Sequence, residues 1–88
     1  MPKKRERLEV IYDILSSIQN RRIGPTRLLY ASNLSPEMFK SYISELLETK
    51  MIKEIDEKNK KYYSLNDKGF HFIEQYKSFK NFIENIGL

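Results

Sequence analysis

Basic side chains cluster at two places in the chain where they could bind a polyanion. The first cluster lies in a short polar segment and comprises Lys58, Asn59, Lys60 and Lys61. The second flanks the start of a predicted helix and comprises Arg21, Arg22 and Arg27. A lysine can contact a phosphate in many orientations, provided that its side chain is long enough to reach it. The exposed N–H groups at a helix start also favour an anion. Both clusters are therefore predicted to contact nucleic-acid phosphates.

The formal net charge is +4, and it is unevenly distributed along the 88 residues. Residues 1–30 hold seven Lys and Arg against three acids, residues 31–57 three against six, and residues 58–88 six against three. Two basic ends that flank an acidic middle fit a polyanionic partner. The alternative is an ordinary solvated surface rich in lysine and glutamate, of the kind that thermophile proteins often have.

The N-terminal residues form a further basic group, which comprises Lys3, Lys4, Arg5 and Arg7. They could act as a flexible arm on DNA, or they could be a frayed, solubilising terminus. No apolar signal-peptide core follows them, and the longest apolar runs in the sequence are only a few residues. We therefore expect a cytoplasmic protein with no contact to a membrane.

Residue types that commonly carry catalysis or bind metals are scarce. The sequence has no cysteine, one histidine (His71) and only three glycines, so it offers no thiol site and no glycine-rich phosphate loop. The acid pairs Glu9/Asp13 and Glu45/Glu48 have helical spacing on polar faces, which is typical of solvated charges rather than an acid–base dyad. We expect no enzyme activity, no cofactor and no metal site.

Apolar spacing predicts three helices in the first half of the chain. The first runs from about residue 5 to residue 20, and its apolar face comprises Leu8, Val10, Ile11, Ile14, Leu15 and Ile18. The second starts at Pro25 and stops at Asn33, which suits a left-handed residue; it is expected to bury Leu28, Leu29 and Ala31 or its neighbours. The third is capped by Ser35 and runs to about residue 49.

Two short strands are predicted next, over residues 51–56 and 61–65, with a polar turn at residues 57–60 between them. A last helix begins after Asn66, an expected N-cap, and runs to about Ile86. The element order is α-α-α-β-β-α. It predicts a mainly α protein with a small β-hairpin (α+β), folded as a winged helix-turn-helix.

The third helix is the expected recognition helix, because the major groove accepts a helix whose short polar side chains contact base edges. The candidate base-contacting residues are Ser35, Lys40, Ser41 and Ser44. The same helix carries Glu37, Glu45 and Glu48, which repel phosphate. An ordinary solvated face is therefore the alternative interpretation.

The last helix is apolar on more sides than a simple surface helix needs. Five residues have the 4-3-4-3 spacing of a heptad seam, namely Phe72, Tyr76, Phe79, Ile83 and Ile86, and Phe70, Ile73 and Phe82 lie beside them. One interpretation buries all of them within a monomer, but so small a body offers few partners to the far end. We expect a homodimer whose interface comprises Tyr76, Phe79, Phe82, Ile83 and Ile86.

Three stretches of the sequence resemble small archaeal winged-helix DNA-binding proteins, a group that includes chromatin-associated proteins and transcriptional regulators of crenarchaea. The stretches are residues 8–15; residues 26–35, continued by Phe39, Ile43, Leu46, Leu47 and residues 51–52; and residues 63–69 with Phe72. The sequence departs from the family at Ser32, Lys50 and Asn66, where alanine, glycine and threonine are usual. Lys50 follows a helix at a position where positive φ is expected, at a cost of about 1 kcal/mol.

The resemblance covers roughly residues 7–80 and implies DNA binding and, in several members, dimerisation through the last helix. We expect one winged-helix domain over residues 1–88, divided into a basic tail (1–6), a winged-helix body (7–66) and a C-terminal dimerisation helix (67–88). The expected function is sequence-specific or semi-specific binding of double-stranded DNA in transcription regulation. Two alternatives stay open, a non-specific chromatin-like architectural protein and a winged-helix module that binds other proteins.

Overall fold

The computed structural model describes residues 6–88, which form four helices and one hairpin. Helix α1 spans Arg7–Ile18, α2 spans Pro25–Ser32 and α3 spans Pro36–Glu48. The strands β1 (Ile52–Glu57) and β2 (Lys60–Leu65) follow, and α4 spans Asp67–Asn85. The predicted order and the winged helix-turn-helix fold are confirmed, and the ends of the elements lie within two residues of their predicted positions.

The helices begin and end at residues whose backbone preferences suit those positions. Pro25 is the first residue of α2, and Asn33 ends that helix in the left-handed conformation, with φ of 56°. The Ser35 hydroxyl accepts a hydrogen bond from the Met38 backbone N–H at 3.2 Å and so caps α3. Lys50, which follows α3, has φ of 67°, so the predicted positive φ is confirmed there.

Two local predictions can be given in more detail. Of Ala31 and its neighbours, Ser32 is the buried residue and Ala31 is exposed. The Ser32 hydroxyl donates to the Leu29 carbonyl oxygen at 2.7 Å, which satisfies the donor inside its own helix. Asn66 occupies the N-cap position of α4, but its side chain does not cap the helix. Its amide donates instead to the carbonyl oxygens of Lys50 and Ile52, at 3.1 and 3.3 Å, because the turn after α3 brings those acceptors within reach.

The hairpin closes more tightly than predicted. The strands pair antiparallel from Ile52↔Leu65 to Glu57↔Lys60, so only Lys58 and Asn59 remain for the turn. Their φ values of 50° and 65° are typical of a type I′ turn, which matches the twist of the flanking strands. This hairpin is the wing of the fold.

Ile23 joins the wing through a single antiparallel β-bridge. The Ile23 N–H donates to the Tyr63 carbonyl at 3.0 Å, and the Tyr63 N–H donates back to the Ile23 carbonyl at 2.8 Å. Ile23 lies just before α2, so this bridge joins the middle of β2 to the start of the helix-turn-helix. The position of the wing relative to α2 depends on it.

The core is built around α1, and its fully buried apolar residues are Ile14, Leu15, Ile18, Leu28, Leu46, Ile52 and Ile73. Helix α4 joins this core through its N-terminal half, where Tyr76 stacks on Tyr12 with 4.6 Å between the ring centres. Gly69 permits the close approach of α4 to the loop before β1, since a β-carbon there would lie 2.5 Å from the Met51 carbonyl oxygen. The packing leaves one face of α3 open to solvent.

Candidate nucleic-acid interface

The open face of α3 carries short polar side chains. Lys40, Ser41 and Ser44 are exposed on the side of the helix opposite its buried residues. Ser35 lies at the N-terminal edge of this face, and its hydroxyl oxygen is engaged in the cap. The structure therefore brings three of the four predicted base-contacting residues onto one surface and places the fourth at its margin.

Acidic side chains share this part of α3, but one of them is paired. Glu45 forms a hydrogen-bonded ion pair with Arg7 of α1, and this hydrogen bond raises the pKa of Arg7 above its ordinary value. Glu37 and Glu48 are exposed and take part in no ion pair within residues 6–88. The repulsion that α3 presents to phosphate is thus smaller by one charge than the sequence suggested.

The predicted basic arm lies mostly outside the described residues, since Lys3, Lys4 and Arg5 precede them. Arg7 is described, and it belongs to α1 rather than to an extended arm. Its guanidinium pairs with Glu45 and lies 6.0 Å from the centre of the Tyr42 ring. Arg7 is therefore directed at α3 within the same chain.

The wing carries exposed lysines on both of its faces. Lys58 is at the tip, Lys60 points to one face and Lys61 to the face that α3 flanks. Lys61 Nζ lies 3.2 Å from Glu54 Oε1 of β1, and this hydrogen-bonded pairing raises the pKa of Lys61. Lys61 and Glu54 line a depression of about 260 Å³ together with Lys40 and Ser44 of α3. The wing and the open face of α3 therefore form one continuous surface.

A wider groove, of about 610 Å³, separates the start of α2 from β2. Its basic residues are Arg22, Arg27, Lys60 and Lys61. Gly24 is the N-cap of α2 and supplies no side-chain hydrogen bond, so the first N–H groups of the helix need a partner from outside it. Tyr30, which is 78% exposed, adds a phenol to the wall. We call this feature the α2–β2 groove; it offers the cations and donors that a phosphate backbone requires.

Arg22 is held in place within this groove. Its two terminal nitrogens donate to the Glu57 carboxylate at 3.0 and 2.8 Å. The guanidinium also lies 4.6 Å from the centre of the Tyr62 ring, a cation–π distance. The hydrogen bonds raise the pKa of Arg22 and lower that of Glu57, so both groups stay charged at neutral pH.

The two other arginines predicted to bind phosphate are not neighbours. Arg21 Nε donates to the Ser17 carbonyl oxygen at 2.9 Å, and the side chain lines a separate depression with Ile55 and Phe70. Arg27 projects into the α2–β2 groove and makes no ion pair among the residues the structure describes. Of the three arginines, Arg27 is the one placed to meet a ligand in that groove.

The partners of the wing cations, Glu54 and Glu57, were not predicted from the sequence, and neither were the aromatic contributions of Tyr30 and Tyr62. The strand register would not have given these pairs, since it places Glu54 opposite Tyr63 and Glu57 opposite Lys60. For Tyr30 the signal is weak as well, because an aromatic side chain on a short helix is more often core.

The C-terminal half of α4 presents an apolar face to solvent. Phe79, Phe82 and Ile86 are 62%, 59% and 54% exposed. Ile83 is half-buried and lines a depression between α1 and α4, opposite Leu8. The N-terminal half packs on α1 within the monomer. Tyr76 belongs to that half, since it is stacked on α1 rather than turned to solvent.

Within residues 6–88, no three His, Asp or Glu side chains come together in a way that could hold a metal ion. None of the four helices in this range is both long and apolar enough to cross a bilayer.

Comparison with known proteins places this geometry in a family. Residues 4–84 match the family model described as winged helix-turn-helix. Two uncharacterised proteins of Methanocaldococcus jannaschii are similar in sequence: one is 32% identical over 82% of this chain and 32% of its own length. The other is 38% identical over 75% of this chain and 64% of its own length. The chain therefore spans about a third of the first relative and less than two thirds of the second.

Solved structures show the same fold. The Sso10a-2 structure, described as a DNA-binding protein from Sulfolobus solfataricus, is similar with a TM-score of 0.78 at 23% identity, over 93% of this chain and 85% of that one. The structure of TubR bound to 24 bp of tubC, from Bacillus thuringiensis, has a TM-score of 0.70 at 20% identity, over 78% of this chain and 80% of that one. The adhesin competence repressor of Streptococcus pyogenes has a TM-score of 0.70 at 18% identity, over 88% of this chain and 60% of that one. The family resemblance found in the sequence is confirmed, and the chain belongs to the winged helix-turn-helix family.

Proposed function

We propose that this protein binds double-stranded DNA as a transcription regulator and catalyses no reaction. One observation carries the proposal. The open polar face of α3 and the cationic α2–β2 groove are adjacent, and Lys61 lines both the groove and the depression beside α3. A surface that offers short polar side chains on a helix, flanked by cations, has the two components of DNA recognition, base contacts and phosphate contacts.

In the proposed complex, α3 enters the major groove, which is about 12 Å wide and accepts a helix. Ser41 and Ser44 then face base edges, and Lys40 lies toward the wing. Arg27 and Lys60, which line the α2–β2 groove, contact phosphates along one edge of the major groove. Lys58 contacts the DNA backbone from the wing tip. Phosphate contacts fix the register of the helix, and the serines supply the sequence preference.

The structural relatives support this proposal by what they are described to bind. Sso10a-2 is described as a DNA-binding protein, and TubR was solved with DNA. A third relative is described as a repressor. All three share the winged-helix fold with this chain, which makes the same use of the fold the simplest expectation.

We further propose that the protein acts as a homodimer through the C-terminal half of α4. Phe79, Phe82 and Ile86 form an apolar face that the monomer leaves uncovered. Two such faces related by a two-fold axis would bury each other and would close the assembly at two copies. The pair of α3 helices would then be held at a fixed spacing, as a palindromic or pseudo-palindromic site requires.

Binding to random-sequence and genomic DNA across a salt series tests the proposed function. If a dimer makes about 6–8 phosphate contacts, the logarithm of affinity should fall with the logarithm of salt concentration with a slope of roughly −5 to −7. The slope is expected because each neutralised phosphate releases condensed counterions. Fluorescence anisotropy with labelled duplexes measures it. An affinity that does not respond to salt would rule out this mode of binding.

The roles of α3 and the wing can be separated by two variants. Replacing Lys58, Lys60 and Lys61 by alanine should weaken binding to all duplexes alike, because phosphates carry no sequence information. Replacing Ser41 and Ser44 by alanine should change the preference between duplexes, by about 1–3 kcal/mol per lost base contact. Selection from a random duplex library measures both effects. If the serine variant selects the same sequences as the parent, α3 does not contact bases.

A second function, binding of another protein, is favoured by one observation: Glu37 and Glu48 are exposed on the open face of α3. Acidic residues there would suit a basic protein surface better than DNA. The salt series distinguishes the two functions, since a protein-binding module would bind duplexes weakly even at low salt. Binding that is strong but indifferent to sequence would instead favour the architectural role.

A further inference from the structure

Arg22, which the sequence places among the phosphate-binding residues, already has partners within the chain. Both terminal nitrogens donate to Glu57, and one face of the guanidinium is covered by the Tyr62 ring. A two-pronged arginine–carboxylate contact fixes the direction of both side chains, unlike a single contact between flexible chains. A phosphate that approached the edge of the guanidinium bound to Glu57 would have to displace that carboxylate.

Arg22 and Glu57 are 35 residues apart in the chain, and their contact links the start of the helix-turn-helix to the wing. Arg22 precedes Ile23, whose backbone bridge to Tyr63 anchors the middle of β2. Glu57 is the last residue of β1, next to the wing tip. From Tyr63 to the tip the hairpin extends about 13 Å, at 3.3 Å per residue. Over this length the residues from Asp56 to Lys61 are exposed.

We propose that Arg22, Glu57 and Tyr62 form a brace that sets the angle of the wing relative to α2. We call these three residues the wing brace. The inference deepens the proposed function, on which its DNA readout rests. With the brace closed, Lys60 and Arg27 line the same α2–β2 groove and face one run of phosphates. Arg22 and Glu57 then act on DNA through the wing, as positioning residues, while Lys60 and Arg27 touch the backbone.

The brace and simple electrostatics predict opposite effects of a Glu57 substitution on DNA affinity. Glu57→Gln removes a negative charge beside a cationic groove, which by Coulomb attraction alone would strengthen DNA binding. If Glu57 is part of the brace, the same change frees the wing. Binding should then weaken by about fivefold, as expected when the freed wing holds its binding position about a fifth of the time. Asp56→Asn is the matched control, because Asp56 is the neighbouring exposed acid on β1 and makes no ion pair within residues 6–88.

The salt dependence and a charge exchange complete the test. Lys60→Ala should lower the salt slope by about 1 per subunit, as expected for a direct phosphate contact, whereas Arg22→Gln should lower the affinity with little change in slope. The double variant Arg22→Glu with Glu57→Arg retains the pair in reverse and should recover most of the affinity lost by either single change. A phosphate-binding Arg22 would not be rescued, because the exchange puts a carboxylate where the cation was.

Tighter or unchanged binding by Glu57→Gln, or a double variant no better than the single ones, would overturn the brace. Amide hydrogen exchange of the free protein gives an independent readout, in which the wing-tip amides should exchange faster in Glu57→Gln than in Asp56→Asn. Equal exchange in the two variants would count against the brace as well. If the unmodified protein fails to bind duplexes at low salt, the proposed function fails, and the exchange measurement alone then decides the brace.

Discussion

Replacing Phe79 and Phe82 together by glutamate is expected to produce a folded monomer that binds DNA at least 100-fold more weakly than the parent protein. The two side chains are already 62% and 59% exposed in the monomer, so their replacement leaves its core intact. In a dimer, four carboxylates would have to be buried against one another, which no apolar interface tolerates. The loss of affinity follows because linking two binding heads is worth a factor of about 10² to 10⁴.

Sedimentation of parent and variant at micromolar concentration measures the change in assembly, and anisotropy on a two-site duplex measures the change in affinity. The matched control is Asn81→Glu with Asn85→Glu, which adds the same charge on the exposed polar side of α4. The control should remain a dimer, and its affinity should fall only by the general repulsion of DNA. A parent protein that sediments as a monomer would refute the dimer, and so would a Phe79/Phe82 variant that remains dimeric.

Replacing Gly69 by alanine is expected to lower the free energy of unfolding by about 2–3 kcal/mol, as overpacking of a close contact does. The added β-carbon would lie 2.5 Å from the Met51 carbonyl oxygen and 3.0 Å from a Leu65 methyl group. The carbonyl belongs to the backbone between α3 and β1, so it cannot move aside as a flexible side chain would. Helix α4 must shift, and the melting temperature should fall by roughly 10–20 °C for a domain of this size.

Gly24→Ala is the control for this change, because a β-carbon at residue 24 meets nothing nearer than the Lys61 carbonyl oxygen at 3.8 Å. Its φ of −75° is one that any residue adopts. The cost of alanine at a helix N-cap and its gain from a less flexible unfolded chain largely offset each other, so we expect a change under about 1 kcal/mol. Thermal melting followed by circular dichroism compares the two variants, and equal melting temperatures would show that α4 accommodates the methyl group.

The elements could be predicted from the sequence because their ends are marked by residues with strong local preferences. Pro25 and Asn33 delimit α2, and Ser35 caps α3, through interactions that involve only a few neighbouring residues. The split of α4 into a covered and an uncovered half was also predictable, since a body of this size cannot cover a 19-residue helix along its whole length. Local and volumetric arguments of this kind need no knowledge of the tertiary structure.

The partners of the charged side chains could not be predicted in the same way. Glu57 and Arg22 are 35 residues apart, and Glu45 and Arg7 are 38 residues apart. Which acid meets which cation depends on the angle at which the wing and α1 approach their neighbours, and sequence spacing does not encode that angle. The Asn66 amide illustrates the same point, since a side chain suited to capping its own helix bonds instead to carbonyls 14 and 16 residues away. A count of basic residues therefore overestimates how many are available to DNA.

The tight turn at Lys58 and Asn59 bears on how this scaffold can change its target. Because the hairpin is a paired ribbon up to its last two residues, it has no loose loop to insert into the minor groove, which is about 6 Å wide and distinguishes little beyond A·T from G·C. In the proposed complex, the wing would then contact phosphates and contribute almost nothing to base recognition. A change of target sequence would therefore have to arise at the exposed positions of α3. Proteins descended from a duplicated gene could then bind different sites while they keep the same phosphate contacts.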